Sequence, residues 1–293
     1  MGATELIANF IVDTGYDRIP TEAMSSAKGA IVDGLGCILA GSHEPSGSII
    51  EEYVKELGGN PEASVIGGGF KTSVTQASLA NGTMAHALDY DDDAVTWLGD
   101  PFDIVSSGVS MKPYPCCLLT HRCIDAILHL IKEYGVVAND VEKVECRTSE
   151  FIPQALIHAR PRTALEGKFS MQYCMAIALL DGRIGFKQFT DEKVLDPKAQ
   201  ELLKRVTYVH PEGLIPLQSE AVTIKPKDGR ELSHEVATPK GDPQNPMTKK
   251  ELAVKYRECA SFVLSPQDTQ KSLEMISYLE DIEDITELMN LVR

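Results

Sequence analysis

The stretch A-N-G-T-M-A-H-A-L-D-Y-D-D-D, residues 80–93, decides how the rest of the chain is read. It closes an apolar helix expected from about Ser73 to Leu88 and brings His86 and four acids, Asp89, Asp91, Asp92 and Asp93, to its end. Helix C-termini favour cations, because the macrodipole is negative there. Clustered carboxylates also repel one another, so such a cluster points to chemistry, to a bound cation or to solvent. His86 and Asp89 are spaced i, i+3 on one helix face. One histidine among several acids lacks a metalloprotease, zinc-finger or EF-hand pattern. An acid–base or substrate role is therefore the favoured reading, with a solvated acidic helix end as the plain alternative. Asp89, nearest the helix, is the residue expected to face inward, and Asp91 to Asp93 read as turn residues.

The next unusual segment is M-K-P-Y-P-C-C-L-L-T-H, residues 111–121. Lys112 precedes Pro113, which pushes its backbone towards an extended conformation, and Pro115 restricts the chain again. A lysine aimed by such a frame can anchor a carboxylate, or exchange a proton if burial lowers its pKa. It can equally be an ordinary loop lysine. Cys116, Cys117 and Cys123 do not match the common iron–sulfur spacings, so they read as core or substrate-contact thiols. His121 and Asp125 form an i, i+4 pair that could orient each other or satisfy a buried turn. Further on, Tyr173 offers either a phenol to a pocket or an amphipathic core residue. Arg160 and Arg162 are surface charges or part of a positive field for an anion.

Working outward from these segments, the first hundred residues read as helices: an apolar stripe over Leu6, Ile7, Phe10 and Ile11, then a helix opened by Pro20-Thr21. Gly29, Gly34 and Gly36 in that second helix cost propensity, which suggests close packing. A third helix ends at Gly58-Gly59. Beyond the Lys112 frame come a helix from Cys116 to Lys132, an alternating strand at residues 141–146, and a helix from Phe169 to Leu180. Strands at 222–224 and 232–236 are joined through Asp228-Gly229, a hairpin signal. Residues 252–263 and 272–291 return to helix. The expected fold is mainly α: a helical bundle from the N-terminal (1–104) and C-terminal (248–293) segments, plus a smaller α+β domain over 105–247.

Composition narrows the function classes. The net charge of −15 disfavours nucleic acid and anionic membranes as partners, and requires a local basic pocket for any anionic substrate. No run of eighteen apolar residues is present, so no membrane span is expected. The N-terminal sequence has no basic region of a secretory leader. Seven cysteines, an odd number, fit reduced thiols and a cytoplasmic location.

Four motifs together resemble the MmgE/PrpD family: residues 80–92, the segment K-P-Y-P-C-C-L-L-T-H (112–121), R-P-R-T-A-L-E-G-K-F-S-M-Q-Y (160–173) and T-P-K-G-D-P-Q-N-P-M-T (238–248). That family includes 2-methylcitrate dehydratase, of propionate catabolism, cis-aconitate decarboxylase and iminodisuccinate epimerase. The resemblance implies a lyase with a helical domain and a smaller α+β lid, a cytoplasmic homodimer, and chemistry on a small polycarboxylate without metal or other cofactor. It implies Asp89, Lys112 and Tyr173 as catalytic residues, and His86, Tyr114, Cys117 and His121 as substrate contacts, with Asp89 and Lys112 expected in one cleft. Cys117 stands where the decarboxylases carry a histidine, which favours β-elimination of water from a 2-methylcitrate-like acid over decarboxylation. The chain also departs from the family. After Asp93 it runs almost at once into the Lys112 frame, without the helices that carry further active-site histidine and lysine residues. The alternative expectation is thus an impaired or inactive shortened paralogue that serves only as a structural partner.

Overall fold

The computed structural model describes residues 3–90, 103–106, 108–211 and 218–293. They form mostly helix with a small mixed four-stranded sheet, divided into two compact units. In chain order the longer helices are α1 (Ala3–Asp13), α2 (Thr21–Gly41), α3 (Pro45–Leu57), α4 (Val74–His86), α5 (His121–Tyr134), α6 (Met171–Asp181), α7 (Lys249–Ala260), α8 (Pro266–Ser277) and α9 (Thr286–Val292). The strands are β1 (Ala63–Val65), β2 (Phe70–Thr72), β3 (Val141–Arg147), β4 (Val206–Val209), β5 (Glu220–Pro226) and β6 (Leu232–Val236).

The first unit comprises Met1–Met111 and Gly241–Arg293. Helix α2 is its axis and packs against α4 and α7. The approach to α4 is set by Gly41, where an added Cβ would stand 1.8 Å from the Met84 carbonyl oxygen, so no larger residue fits. Gly36 faces Tyr256 and Cys259 of α7 at ordinary to tight contact, as its helix-breaking cost suggested, whereas Gly34 has nothing within 4 Å and closes no helix contact. By length and composition alone α2 is long and apolar enough to cross a membrane. It carries the buried Asp33 and packs within the unit, as a core helix does. Helix α3 stops at Gly58, φ +66°, and the β1–β2 hairpin leads into α4. The single helix expected over 272–291 is two, because the chain turns after Ser277 before α9 starts at Thr286. The helix expected from Leu252 starts earlier, at Lys249, where Thr248 and Glu251 form a reciprocal capping box.

The second unit is Lys112–Lys240. Its sheet has the order β4-β3-β5-β6, with β3–β5 and β5–β6 antiparallel and β3–β4 parallel. Helices α5 and α6 pack together and α5 lies on β5 and β6, burying Ile124, Ile127, Leu130, Val144, Val222 and Ile224 in one core. The hairpin through Asp228-Gly229 forms, with Gly229 at φ +83°. Strand β4 is an addition to the expected elements, although Val206-Thr-Tyr-Val209 is rich in β-formers. The chain enters and leaves this unit at 111/112 and 240/241 rather than at 104/105 and 247/248. The Met111 N–H donates to the Gly241 carbonyl at 2.8 Å, which ties both connections to the first unit.

Candidate active site

In the first unit α4 ends at His86, whose side chain is exposed, and the Asp89 N–H donates back to the His86 carbonyl at 3.0 Å. Asp89 is half-buried with φ +53°, the left-handed region that L-residues other than Asn and Asp rarely visit. The turn therefore suits an aspartate, and it redirects the chain out of the helix. Asp91, Asp92 and Asp93 lie outside the described residues. Tyr90 is buried beside an ion pair, Lys255–Asp33, that no sequence motif announces.

In the second unit the Lys112 frame is held by one near and two remote hydrogen bonds. The Tyr114 hydroxyl donates to Asp125 Oδ1 at 2.7 Å, and the Lys240 backbone N–H donates to Asp125 Oδ2 at 2.7 Å. The Cys117 N–H donates to the Lys168 carbonyl at 3.0 Å. This last bond, with the Pro-x-Pro sequence, holds residues 116–117 out of the helix. It is why α5 begins at His121 after a 3-10 turn, Leu118–Thr120, and not at Cys116 as expected. Asp125 thereby links residue 114 to residue 240, and the Cys117 bond links residue 117 to residue 168; the three segments carry Lys112, Lys168 and Lys240. Lys168 and Lys240 lie in the quoted motifs and Asp125 lies four residues after His121, but no spacing in the sequence shows that Lys168 meets Cys117 or that Lys240 meets Asp125.

Two readings made from the sequence change here. His121 and Asp125 do not orient each other: His121 is fully buried with Nε2 3.2 Å from the Cys116 carbonyl and its ring edge-on to Tyr114, while Asp125 serves Tyr114 and Lys240. Tyr173 is the core residue rather than a phenol offered to a pocket. It is fully buried, its hydroxyl donates to the Gln188 carbonyl, and its ring packs edge-on to Phe189. Burial raises its pKa well above that of an ordinary phenol. Arg160 and Arg162 are exposed, as surface charges are. Cys117 and Tyr114 are half-buried, at the edge of the core. Cys116 is completely buried against Thr120. Burial opposes ionisation of its thiol, but the neighbouring Cys174 and His121 outweigh burial and draw its pKa down. Among the described residues no group of three or more His, Cys, Asp or Glu side chains could hold a metal ion.

The MmgE/PrpD N-terminal domain matches residues 5–107 and the MmgE/PrpD C-terminal domain matches residues 114–281. Cis-aconitate decarboxylase of Mus musculus is 29% identical over 211 residues, 69% of this chain and 42% of that protein. The Homo sapiens enzyme of the same name is 28% identical over 207 residues, 68% of this chain and 41% of that protein. Cis-aconitate decarboxylase of Aspergillus terreus is 26% identical over 202 residues, 63% and 40% of the two chains. The matched region thus spans less than half the length of these relatives.

Proposed function

The chain belongs to the MmgE/PrpD family, and from that premise we propose that it is a lyase acting on a small polycarboxylate without a cofactor. The observation that carries this reading is that the Pro-framed segment after Lys112 is fastened by Tyr114 to Asp125, which also holds the Lys240 N–H, and by Cys117 to the Lys168 carbonyl, so that lysine-bearing segments are linked in an otherwise acidic protein. Lys112 is the main cationic contact for a substrate carboxylate, and it stabilises the negative charge that develops when a proton leaves the adjacent carbon. Asp89 is the acid–base group. In dehydration, the C–H electron pair forms the new double bond while the β-hydroxyl departs with a proton as water. Tyr114, Cys117, His121 and His86 complete the substrate contacts, the first three by lining or backing the Lys112 frame. Tyr173 acts only through packing, its ring lying against Gly167, the residue before Lys168.

A 2-methylcitrate-like acid is the first substrate, because Cys117 replaces the histidine that the resemblance assigns to decarboxylases. Decarboxylation of cis-aconitate is the second reading, favoured by the names of the relatives at 25–29% identity. Incubating the purified chain with 2-methylcitrate, citrate and cis-aconitate, and following water loss by absorbance and carbon dioxide release separately, tests both. Turnover of none of the three sinks the lyase reading and leaves the non-catalytic partner subunit. Size-exclusion chromatography beside it tests the homodimer that the family resemblance implies.

A further inference from the structure

Asp89 has the only left-handed backbone outside glycine among the described residues. Such a conformation is disfavoured for residues with a side chain and persists where surrounding contacts hold it. The contacts lie on the next residue. The Tyr90 carbonyl accepts hydrogen bonds from Lys255 Nζ at 2.9 Å and from Cys37 Sγ at 3.2 Å. The same ammonium stands 3.8 Å from the centroid of the Tyr90 ring, over its face. Asp33 Oδ1 lies 2.5 Å from Lys255 Nζ, and the side chains of Lys255 and Asp33 are only 3% and 1% exposed. Burial alone would lower the lysine pKa, but the Asp33 carboxylate outweighs it and the ammonium stays charged.

A buried ion pair contributes little net stability, because desolvating both charges offsets their attraction. What this pair does supply is a directed donor at one main-chain carbonyl and a cation on one ring, both belonging to the residue after Asp89. Resting on the assignment of Asp89 to the reaction, we propose that Lys255 is a positioning residue. Held by Asp33, it clamps the carbonyl and ring of Tyr90, and so fixes the left-handed backbone and the direction of the Asp89 carboxylate. Lys255 reaches Tyr90 from α7, at 165 positions' separation in sequence.

The test combines amide hydrogen exchange with kinetics on the full chain, for Lys255→Gln, Lys255→Arg and the neutral pair Asp33→Asn/Lys255→Gln, which leaves no lone buried charge. Exchange at residues 87–90 should quicken about tenfold or more in Lys255→Gln and in the neutral pair, with α3 unchanged, and Lys255→Arg should restore part of the protection. With cis-aconitate and 2-methylcitrate, kcat should fall about tenfold or more while KM stays within about twofold. Adding Lys255→Gln to Asp89→Ala should cause no further loss, because both act through one carboxylate. Unchanged exchange at 87–90, exchange rising equally throughout the unit, or losses that multiply in the double variant would overturn the proposal. Full activity in Asp89→Ala would instead remove the catalytic assignment, and the exchange result would then decide the clamp by itself.

Discussion

The Tyr114 hydroxyl and the Asp125 carboxylate meet at 2.7 Å, and the other oxygen of Asp125 takes the Lys240 N–H at the same distance. One carboxylate on α5 therefore fastens two segments. Tyr114 is a near neighbour of Asp125, 11 positions away, whereas Lys240 lies 115 positions away and reaches it only through folding. The Lys112 frame is rigid for this reason as much as for its two prolines. A lysine aimed by packing and hydrogen bonds loses less freedom on binding an anion than one on a free loop.

Asp125→Ala leaves both donors without their acceptor and should lower unfolding free energy by about 2–4 kcal/mol, since each bond is to a charged group. Tyr114→Phe removes one bond and should cost about 1 kcal/mol. Urea unfolding of the two variants checks this, and equal effects would show that Lys240 gains nothing from Asp125.

Lys112→Ala should lower kcat/KM for the polycarboxylate by about 100-fold or more, as loss of a group that stabilises developing charge does. Lys112→Arg should not restore it, because a planar guanidinium does not replace a point charge in a Pro-framed position. Steady-state kinetics on the three candidate acids gives the answer; an active Lys112→Ala places the cationic contact elsewhere.

Glu220 begins β5 and is buried, with Oε1 lacking a hydrogen-bond partner among the described residues. Burial pushes its pKa up to about 7, against smaller opposing effects from the Cys123 thiol and Arg122. The folded state thus holds this proton more tightly than the unfolded chain, whose carboxyl titrates near the usual value of about 4.3. Its contribution is complete below that value, is lost progressively as pH rises to about 7, and changes no further above it. The loss amounts to about 4 kcal/mol at most. Glu220→Gln, neutral throughout, should be the more stable protein at about pH 8 and should flatten the decline between about pH 5 and 7, as thermal unfolding at several pH values would record.

Lys255→Met strands the buried Asp33 carboxylate and should cost about 3–5 kcal/mol. The double change Asp33→Leu/Lys255→Met removes both charges together and should recover most of that loss. Chemical denaturation of the single and double variants measures the coupling; additive losses would mean that the two groups do not depend on each other.

Sequence by itself determined the helices α2, α3, α4 and α6 to within a few residues, the hairpin of β5 and β6, and the family motifs that single out Asp89 and Lys112. These are local properties: apolar periodicity, a proline or glycine at an end, and ordered residue types over a short span. Tertiary structure alone decided which polar groups share a partner. The spacing of Asp125 pointed to His121, one helical turn away, and the carboxylate binds Lys240 instead. Tyr173 could have faced a pocket and instead donates to Gln188 in the core. Strand β4 exists because it pairs in parallel with β3, and parallel neighbours are joined through a long crossover that leaves no local turn signal. Asp33 and Lys255 look like ordinary helix residues in sequence, and only the packing of α2 against α7 excludes water from both. Burial and remote hydrogen bonds follow from which surfaces meet, and no short stretch of sequence contains that information.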